Sequence, residues 1–315
     1  MFKTIAIVAC CLCIMTGMWA QELKVEEVRT LKNLNDDERI MNSVTFSPDG
    51  KMIATACDSG LLTLWDAASG AEIRQIKVRG RQFCVRFTPD GKGIASVNTG
   101  EGKIYLYNGN DGKEYLSFKA AGEISLAFDK KGGRLLGARD GLVTVWDTKD
   151  GKQLLNLKAG TGSAFFSPDD KLIVAGKGHK LFFWNAETGK ELPQWNMPKG
   201  VNHDIRQLAL SPDGKFLAFS ASRTICLWDI AKREIVKTFE GHKELVQDIV
   251  FSPNGEYLVS GSDDKTVRLI VVNTGKYFVC SGHTQWVVSV AFSPNGEMFA
   301  SASRDKTVKV WKIVK

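Results

Sequence analysis

The sequence lacks the residue clusters that enzymes and metalloproteins usually carry. Only four of its 315 residues are histidines, and His179, His203, His242 and His283 lie far apart. No HExxH, paired CxxC or EF-hand spacing occurs, so neither a metal nor another cofactor is predicted. No linker, low-complexity tract or long charge run interrupts residues 21–315. These absences argue against a metal site and leave no room for a separate catalytic domain.

Charge of one sign is not concentrated either. The formal net charge is +7, and it becomes +6 if Lys3 is removed with a leader. The basic residues are scattered, and their longest cluster is Lys77–Arg81. A basic stripe of the kind that follows a phosphate backbone is therefore absent, and no nucleic-acid partner is expected.

What the sequence does contain is one short motif that recurs at a mean spacing of about 41 residues. The seven copies are FSPDG at Phe46–Gly50, FTPDG at Phe87–Gly91, FDKKG at Phe128–Gly132, FSPDD at Phe166–Asp170, LSPDG at Leu210–Gly214, FSPNG at Phe251–Gly255 and FSPNG at Phe292–Gly296. A fixed period of this length indicates one small structural unit that stacks on itself.

Each copy reads as four short strands. In the first copy, Val44–Phe46 alternates like a half-buried strand, and the Ser-Pro-Asp-Gly that follows fits a type I turn. Further strands are predicted at Met52–Ala56, Leu62–Trp65 and Glu72–Ile76, with turns between them. Four such strands make a sheet with two faces to bury, and seven sheets around an axis bury them all.

Two more motifs accompany the turn. Trp is followed by Asp or Asn at Trp65-Asp66, Trp146-Asp147, Trp184-Asn185 and Trp228-Asp229, and Gly precedes His at Gly241-His242 and Gly282-His283. With these motifs, roughly residues 25–315 resemble the WD-repeat family of β-propellers. The resemblance implies an all-β fold: a seven-bladed β-propeller of four-stranded antiparallel blades, occupying residues 21–315.

The resemblance also implies a buried hydrogen-bonded set in each blade, made of a His, a turn Asp, a strand Ser and the Trp. The matching residues are His283, Asp305, Ser301 and Trp311 in the last blade, His242, Asp264 and Ser260 in the sixth, and Asp140 and Trp146 in the third. Ile270 stands where the sixth blade should have Trp, and the third blade has no His.

The ring is expected to close through its N-terminus. The seventh copy lacks a fourth strand, because only Lys312–Lys315 follow Trp311. Val25–Leu31 resembles the fourth strand Ala71–Ile76 of the first copy. We therefore expect Val25–Leu31 to pair with the strand Val308–Trp311, which removes two exposed sheet edges.

Residues 1–20 read as a secretory signal peptide. Lys3 precedes the apolar stretch Thr4–Met18, and cleavage is expected after Ala20. Two alternatives remain open: an uncleaved membrane anchor, and a lipoprotein anchored at Cys10. The expected product is secreted or periplasmic and monomeric, with no membrane span in its mature chain.

The remaining cysteines are expected to be free. Three of the seven lie in the leader, and Cys57, Cys84, Cys226 and Cys280 fall in predicted strands. Scattered cysteines in a large domain are usually buried small apolar residues. Cys57 and Cys84 lie in adjacent repeats and form the one pair that we would test for a disulfide.

Catalytic groups are scarce at the predicted channel. The position three before the repeated Phe or Leu holds Ser43, Cys84, Ser125, Ser163, Gln207, Asp248 and Ser289. One carboxylate cannot form a metal cage or an acid pair, and no His is present to activate a Ser. Loops could still supply such groups, so a propeller hydrolase or lactonase with a metal or small ligand at the channel mouth remains the alternative.

A non-catalytic platform for protein partners is the function that the sequence favours. The candidate contacts lie on the loops that lead from one repeat into the next and are Arg79, Arg81, Arg206, Lys243, Leu245 and Trp286. Trp and Arg are the side chains most often found at binding hot spots. For Trp286, packing against the neighbouring blade is the competing interpretation.

Overall fold

The computed structural model describes residues 23–32, 40–78, 80–120, 125–139, 141–158, 163–196 and 205–314. The predicted leader, with Cys10, lies outside these residues, as do Arg79, Asp140 and His203. All regular structure in the described part of the chain is β-strand and turn. These residues include no helix with the length and apolar character that crossing a bilayer requires.

Strand β1, Lys24–Leu31, comes first and belongs to the last blade. The strands of blades 1 and 2 are β2 (Met41–Phe46), β3 (Met52–Cys57), β4 (Leu61–Asp66), β5 (Glu72–Lys77), β6 (Gln82–Phe87), β7 (Gly93–Asn98), β8 (Lys103–Asn108) and β9 (Glu114–Lys119). Those of blades 3 and 4 are β10 (Ser125–Phe128), β11 (Arg134–Arg139), β12 (Leu142–Asp147), β13 (Gln153–Lys158), β14 (Ala164–Phe166), β15 (Leu172–Lys177), β16 (Lys180–Asn185) and β17 (Glu191–Asn196).

Blades 5 to 7 continue the series. Their strands are β18 (Ile205–Leu210), β19 (Phe216–Ala221), β20 (Thr224–Asp229), β21 (Glu234–Phe239), β22 (Val246–Phe251), β23 (Tyr257–Ser262), β24 (Val267–Val271), β25 (Tyr277–Cys280), β26 (Val287–Phe292), β27 (Met298–Ser303) and β28 (Val308–Val314). Each blade is one antiparallel four-stranded sheet, in chain order in blades 1 to 6 and in the order β1-β28-β27-β26 in blade 7. The first strands of neighbouring blades pack around the axis. The predicted seven-bladed propeller is confirmed.

The repeated motif forms the turn between the first and second strands. In blade 1 the Gly50 N–H donates to Ser47 O over 2.8 Å, as a type I turn requires. The Ser47 hydroxyl donates to Asp49 Oδ1 at 2.6 Å and accepts from Met52 N–H at 2.9 Å. Gly50 has φ +73°, and Asp170 takes the same left-handed conformation in blade 4 with φ +57°.

Strand β1 closes the ring as predicted. It pairs antiparallel with β28, with Glu27 opposite Trp311 and Leu31 opposite Val308. The Lys309 ammonium donates to Glu27 Oε1 over 2.8 Å across the same pair of strands. The β1 strand thus covers an edge of β28 that would otherwise be unpaired.

The core lies between the blades, where seven clusters of buried apolar side chains separate one sheet from the next. The four cysteines in the described residues, Cys57, Cys84, Cys226 and Cys280, are buried and free. Cys57 and Cys84 therefore form no disulfide. Cys280 packs in the apolar core, and this burial raises the pKa of its thiol to about 12.

Candidate partner-binding rim

At one end of the propeller, the turn between the second and third strands of a blade is bonded to the loop that enters the same blade. The bonds are Asp58 N–H to Ile40 O (3.2 Å), Asp263 N–H to Leu245 O (2.9 Å) and Arg304 N–H to Trp286 O (2.9 Å). We call this end of the propeller the loop rim. The Ser-Pro-Asp-Gly turns and the hairpins between third and fourth strands lie at the opposite end, which we call the turn end.

The hydrogen-bonded set of blade 7 underlies this rim. His283 Nδ1 lies 2.8 Å from Asp305 Oδ2, and His283 Nε2 lies 2.8 Å from Ser301 Oγ. The Trp311 indole donates to the same Ser301 oxygen over 2.9 Å. The Ser301 hydroxyl accepts from Trp311 and can donate its own proton to Nε2 of a neutral His283 ring. The ring proton of His283 is then on Nδ1 and is donated to Asp305. The set ties the entry loop, the turn and two strands together.

Blade 6 repeats this arrangement without the Trp. His242 Nδ1 lies 2.8 Å from Asp264 Oδ2, and its Nε2 lies 2.8 Å from Ser260 Oγ. Ile270 fills the Trp position and is buried. Burial alone would raise the pKa of Asp264, but hydrogen bonds from His242 and Thr266 hold that pKa well below its usual range.

The other blades keep only parts of the set. In blade 1 the Trp65 indole donates to Thr55 Oγ1 over 3.0 Å. Trp146 in blade 3 is buried in the core. In blade 5 Phe219 occupies the position of Thr55, and the buried Trp228 indole N–H has no hydrogen-bond partner among the described residues. The sequence alone did not reveal that the Trp228 indole lacks a partner. The pairing of β19 with β20 is needed to show that Phe219 occupies the position of Thr55.

Cation–aromatic pairs lie on the rim at blades 7 and 2. Trp286 is 39% exposed, and the Arg304 guanidinium lies 4.4 Å from the centre of its ring. More than a third of the Trp286 side chain is therefore accessible to a partner. In blade 2 the exposed Arg81 side chain lies 5.6 Å from the Phe83 ring centre and 3.8 Å from the Asp58 carboxylate.

A charged patch joins the Trp286 pair to blades 5 and 6. Asp263 accepts two hydrogen bonds of 2.8 Å from the Gln247 amide. Burial raises the pKa of Asp263, while the Gln247 bond and the nearby Arg206 and Arg304 charges oppose that rise. The sequence analysis named Arg206 as a candidate but not its neighbours Asp263, Gln247 and Arg304. Asp263 and Arg304 each directly precede the turn Asp of the hydrogen-bonded set, and this position in the sequence is the signal that points to them.

Lys243 and Leu245, two further predicted contact residues, both form backbone hydrogen bonds within blade 6. Lys243 is exposed, and its backbone N–H donates to Asp264 Oδ2 over 2.9 Å. Leu245 is half-buried, and its carbonyl anchors the turn at Asp263. Contact of Arg81, Arg206, Lys243, Leu245 or Trp286 with a partner stays a prediction.

The channel residues connect one blade to the next. At four interfaces the side chain three before the repeated Phe accepts a backbone N–H from the first strand of the following blade. These bonds run from Val85 to Ser43 (3.3 Å), Leu208 to Ser163 (2.8 Å), Val290 to Asp248 (2.9 Å) and Val44 to Ser289 (3.3 Å). The predominance of Ser at this position thus has a structural reason, since a short hydroxyl reaches the neighbouring strand.

Asp248 is the acidic member of this ring, which lines a cavity of about 260 Å³. Its oxygens accept the N–H groups of Val290 and Ile249. Burial raises the pKa of Asp248 to about 6, although these bonds and the Arg86 charge oppose the rise. Within the described residues, no three His, Cys, Asp or Glu side chains are grouped as a metal site requires. His179 is exposed and lies in the turn between β15 and β16, not on a channel-lining first strand.

Two family models match the chain. The model described as "WD domain, G-beta repeat" matches residues 197–229, 233–270 and 275–312. The model described as "Anaphase-promoting complex subunit 4 WD40 domain" matches residues 9–88. Both are WD40 models, and together they cover more than half of the sequence.

Three relatives illustrate the range of similar proteins. The serine-threonine kinase receptor-associated protein of Gallus gallus is 25% identical over 74% of this chain and 67% of its own length. The guanine nucleotide-binding protein subunit beta of Oryza sativa subsp. japonica is 24% identical over 74% of this chain and 56% of its own length. Protein HIR1 of Eremothecium gossypii is 28% identical over 44% of this chain and 21% of its own length.

Proposed function

The chain belongs to the WD-repeat β-propeller family, and we propose that it is a non-catalytic platform that binds a protein partner through its loop rim. The relatives support an interaction role of this kind, since one is named for its association with a receptor and another as a subunit. The chain spans between a fifth and two thirds of the length of the three relatives described above. The partner and the process that it serves in this protein are therefore matters for experiment.

The observation that carries the proposal is the Trp286–Arg304 pair on the rim. Both side chains are held by backbone bonded to the blade, since Arg304 N–H donates to Trp286 O over 2.9 Å. A rigid aromatic ring beside a guanidinium loses little conformational freedom on binding, which favours its use as a hot spot. Asp263, Gln247 and Arg206 extend the same patch with hydrogen-bonding groups.

The channel supports a non-catalytic role. Asp248 uses its oxygens to hold the backbone of blades 6 and 7, and the neighbouring Ser side chains hold other pairs of blades in the same way. A hydrolase would need a second acid or a base next to one of these groups. The described channel lining offers neither, so the surface loops rather than the channel carry the proposed activity.

The proposal includes export, which rests on the sequence of residues 1–20. N-terminal sequencing of the protein isolated from the cells that make it tests this point. A chain that begins at Gln21 supports a cleaved leader. A lipid-modified Cys10 at the N-terminus supports the anchored form, and an intact Met1 on the purified protein contradicts cleavage.

Affinity capture tests the platform itself. The bait is the full chain with a C-terminal tag, exposed to envelope and secreted extracts, beside an Arg81→Glu/Trp286→Ala variant. A matched control, Lys51→Glu/Tyr115→Ala, reverses an exposed charge and removes an exposed aromatic ring away from the rim. We expect a partner to be retained by the wild type and the control and lost from the rim variant. Retention by all three proteins contradicts the rim as the binding face.

A further inference from the structure

Blades 4 and 5 separate at the turn end and leave an apolar cavity. The cavity has a volume of about 550 Å³, within the range of roughly 300–1,000 Å³ that small-molecule sites occupy. Val174, Phe183 and Trp195 line it from blade 4, and Leu210 and Leu217 line it from blade 5. It lies at the opposite end of the propeller from the loop rim.

The separation can be followed in the repeated turns. At other blade interfaces the turn glycine contacts the proline of the preceding blade. A Cβ placed on Gly50 would lie 3.4 Å from Pro294, and one on Gly255 would lie 3.6 Å from Pro212. A Cβ on Gly214 of blade 5 would meet nothing within 4 Å. The contact between adjacent turns is therefore missing where the cavity opens.

The hairpin between the third and fourth strands of blade 5 also departs from its counterparts. Blades 1, 3 and 6 have Gly70, Gly151 and Gly275 at the position where blade 5 has Arg233. In each of these hairpins, the N–H at this position donates a hydrogen bond to the carbonyl oxygen four residues earlier in the chain. Arg233 adopts φ +58° there. Residues other than glycine rarely take this conformation. A Cβ on Gly151 would lie only 2.6 Å from Phe118 of the preceding blade, whereas blade 5 has a full arginine side chain at this position.

Arg233 places a positive charge at the mouth of the cavity. Its guanidinium lies 4.9 Å from the ring centre of Trp195, one of the cavity walls. The two carboxylates at the mouth already have partners: Asp169 lies 3.8 Å from the Lys171 ammonium, and Asp213 lies 3.2 Å from that of Lys215. Within the described part of the chain, no carboxylate pairs with Arg233. A planar cation that can bind a carboxylate in bidentate fashion thus stands beside an apolar cavity.

We propose that this groove binds an amphiphilic carboxylate, with its alkyl chain in the cavity and its head group on Arg233. The apolar walls and the finite volume match a hydrocarbon chain, and the free guanidinium selects an anionic head over a cationic one. The site is at the turn end and does not depend on the function proposed for the rim.

Isothermal titration calorimetry with sodium dodecanoate, below the concentration at which it self-associates, tests the proposal on the full chain. We expect saturable binding of one molecule per chain. Octanoate should bind at least about tenfold more weakly, because four fewer methylenes are buried. Dodecyltrimethylammonium, which has the same chain and the opposite charge, should not bind measurably.

Three variants assign the head-group contact. Arg233→Gly restores the residue that the other hairpins use, so folding is retained, and dodecanoate affinity should fall by about tenfold or more. Arg233→Lys should retain part of the affinity. The matched control Lys265→Gly removes an exposed cation from a position with φ +70° in blade 6 and should leave binding unchanged.

Absence of saturable dodecanoate binding overturns the proposal. So does equal affinity of the wild type and Arg233→Gly, or equal affinity for the cationic and anionic amphiphiles. Binding that fails to weaken from dodecanoate to octanoate places the ligand outside the cavity and also contradicts the assignment.

Discussion

Two buried histidines connect the entry loops of blades 6 and 7 to the strands beneath them. The ring nitrogens of His283 are both within 2.8 Å of a partner, one in the turn and one in the second strand. A buried polar group that loses its partner costs more free energy than the bond itself contributes, because the remaining group stays desolvated. Each member of the set therefore depends on the others.

Replacing Ser301 with Ala tests this dependence. The substitution leaves both His283 Nε2 and the Trp311 indole N–H without their partner, and we expect the free energy of unfolding to fall by about 1–3 kcal/mol. Ser69→Ala, at an exposed hairpin, is the control and should change it by less than about 0.5 kcal/mol. Urea unfolding followed by Trp fluorescence measures both. An unchanged midpoint for Ser301→Ala means that the set does not stabilise the blade.

The turn aspartates make stability depend on pH. Burial opposes ionisation of Asp305, but hydrogen bonds from His283 and Thr307 hold its pKa well below the usual value. Because the folded pKa is the lower one, the carboxylate stabilises the fold fully above the unfolded pKa of about 3.9. That contribution is lost as the pH falls below about 4 towards the folded pKa.

Asp305→Asn isolates this contribution. We expect the variant to be less stable than the wild type at pH 7, and the difference to shrink as the pH falls from 5 to 3. Urea unfolding at a series of pH values provides the measurement. A difference that stays constant over this range shows that the charge of Asp305 does not contribute.

At the scale of single elements, β1 has a role that no other strand has. It comes from the opposite end of the chain to its partner β28, and Leu31 is 3% exposed against the core between blades 7 and 1. The Lys309–Glu27 ion pair lies across the same seam. Loss of β1 would expose both an apolar surface and an unpaired edge.

Deletion of residues 24–31 is therefore expected to destabilise the fold strongly. We expect the free energy of unfolding to fall by roughly 3 kcal/mol or more, from lost burial and lost strand pairing. The exposed edge of β28 should also promote association, which light scattering after gel filtration detects. Glu27→Gln, which removes only the charge of the pair, should cost less than about 1 kcal/mol. A deletion variant as stable and as monomeric as the full chain contradicts the closure.

The strands were the most predictable part of the structure. The repeated turn identified every first strand, because Pro fixes φ, Asp bonds the turn backbone and Gly permits a positive φ, and all three are visible in the sequence. The exposure of Trp286 and the lost partner of Trp228 were not visible, since both depend on residues of other strands and loops. The cavity between blades 4 and 5 was missed for the same reason, since its walls come from strands of two different sheets.

At the scale of the whole molecule, the propeller has two ends with different chemistry. The loop rim carries exposed aromatic and charged groups on turns bonded to the blades, whereas the turn end carries glycine and proline contacts and the apolar cavity between blades 4 and 5. Seven sheets that pack on each other hold both surfaces rigid. A partner bound at the rim should therefore be insensitive to changes at the turn end.

The most direct test of the account is the affinity of the captured partner, measured by calorimetry for four proteins. They are the wild type, Arg81→Glu/Trp286→Ala, Lys51→Glu/Tyr115→Ala and Arg233→Gly. We expect the rim variant to bind at least about thirtyfold more weakly, as the loss of hot-spot side chains predicts, and the other two to bind like the wild type. Wild-type affinity in a folded rim variant, or a loss confined to the turn-end variants, would contradict the rim as the binding face.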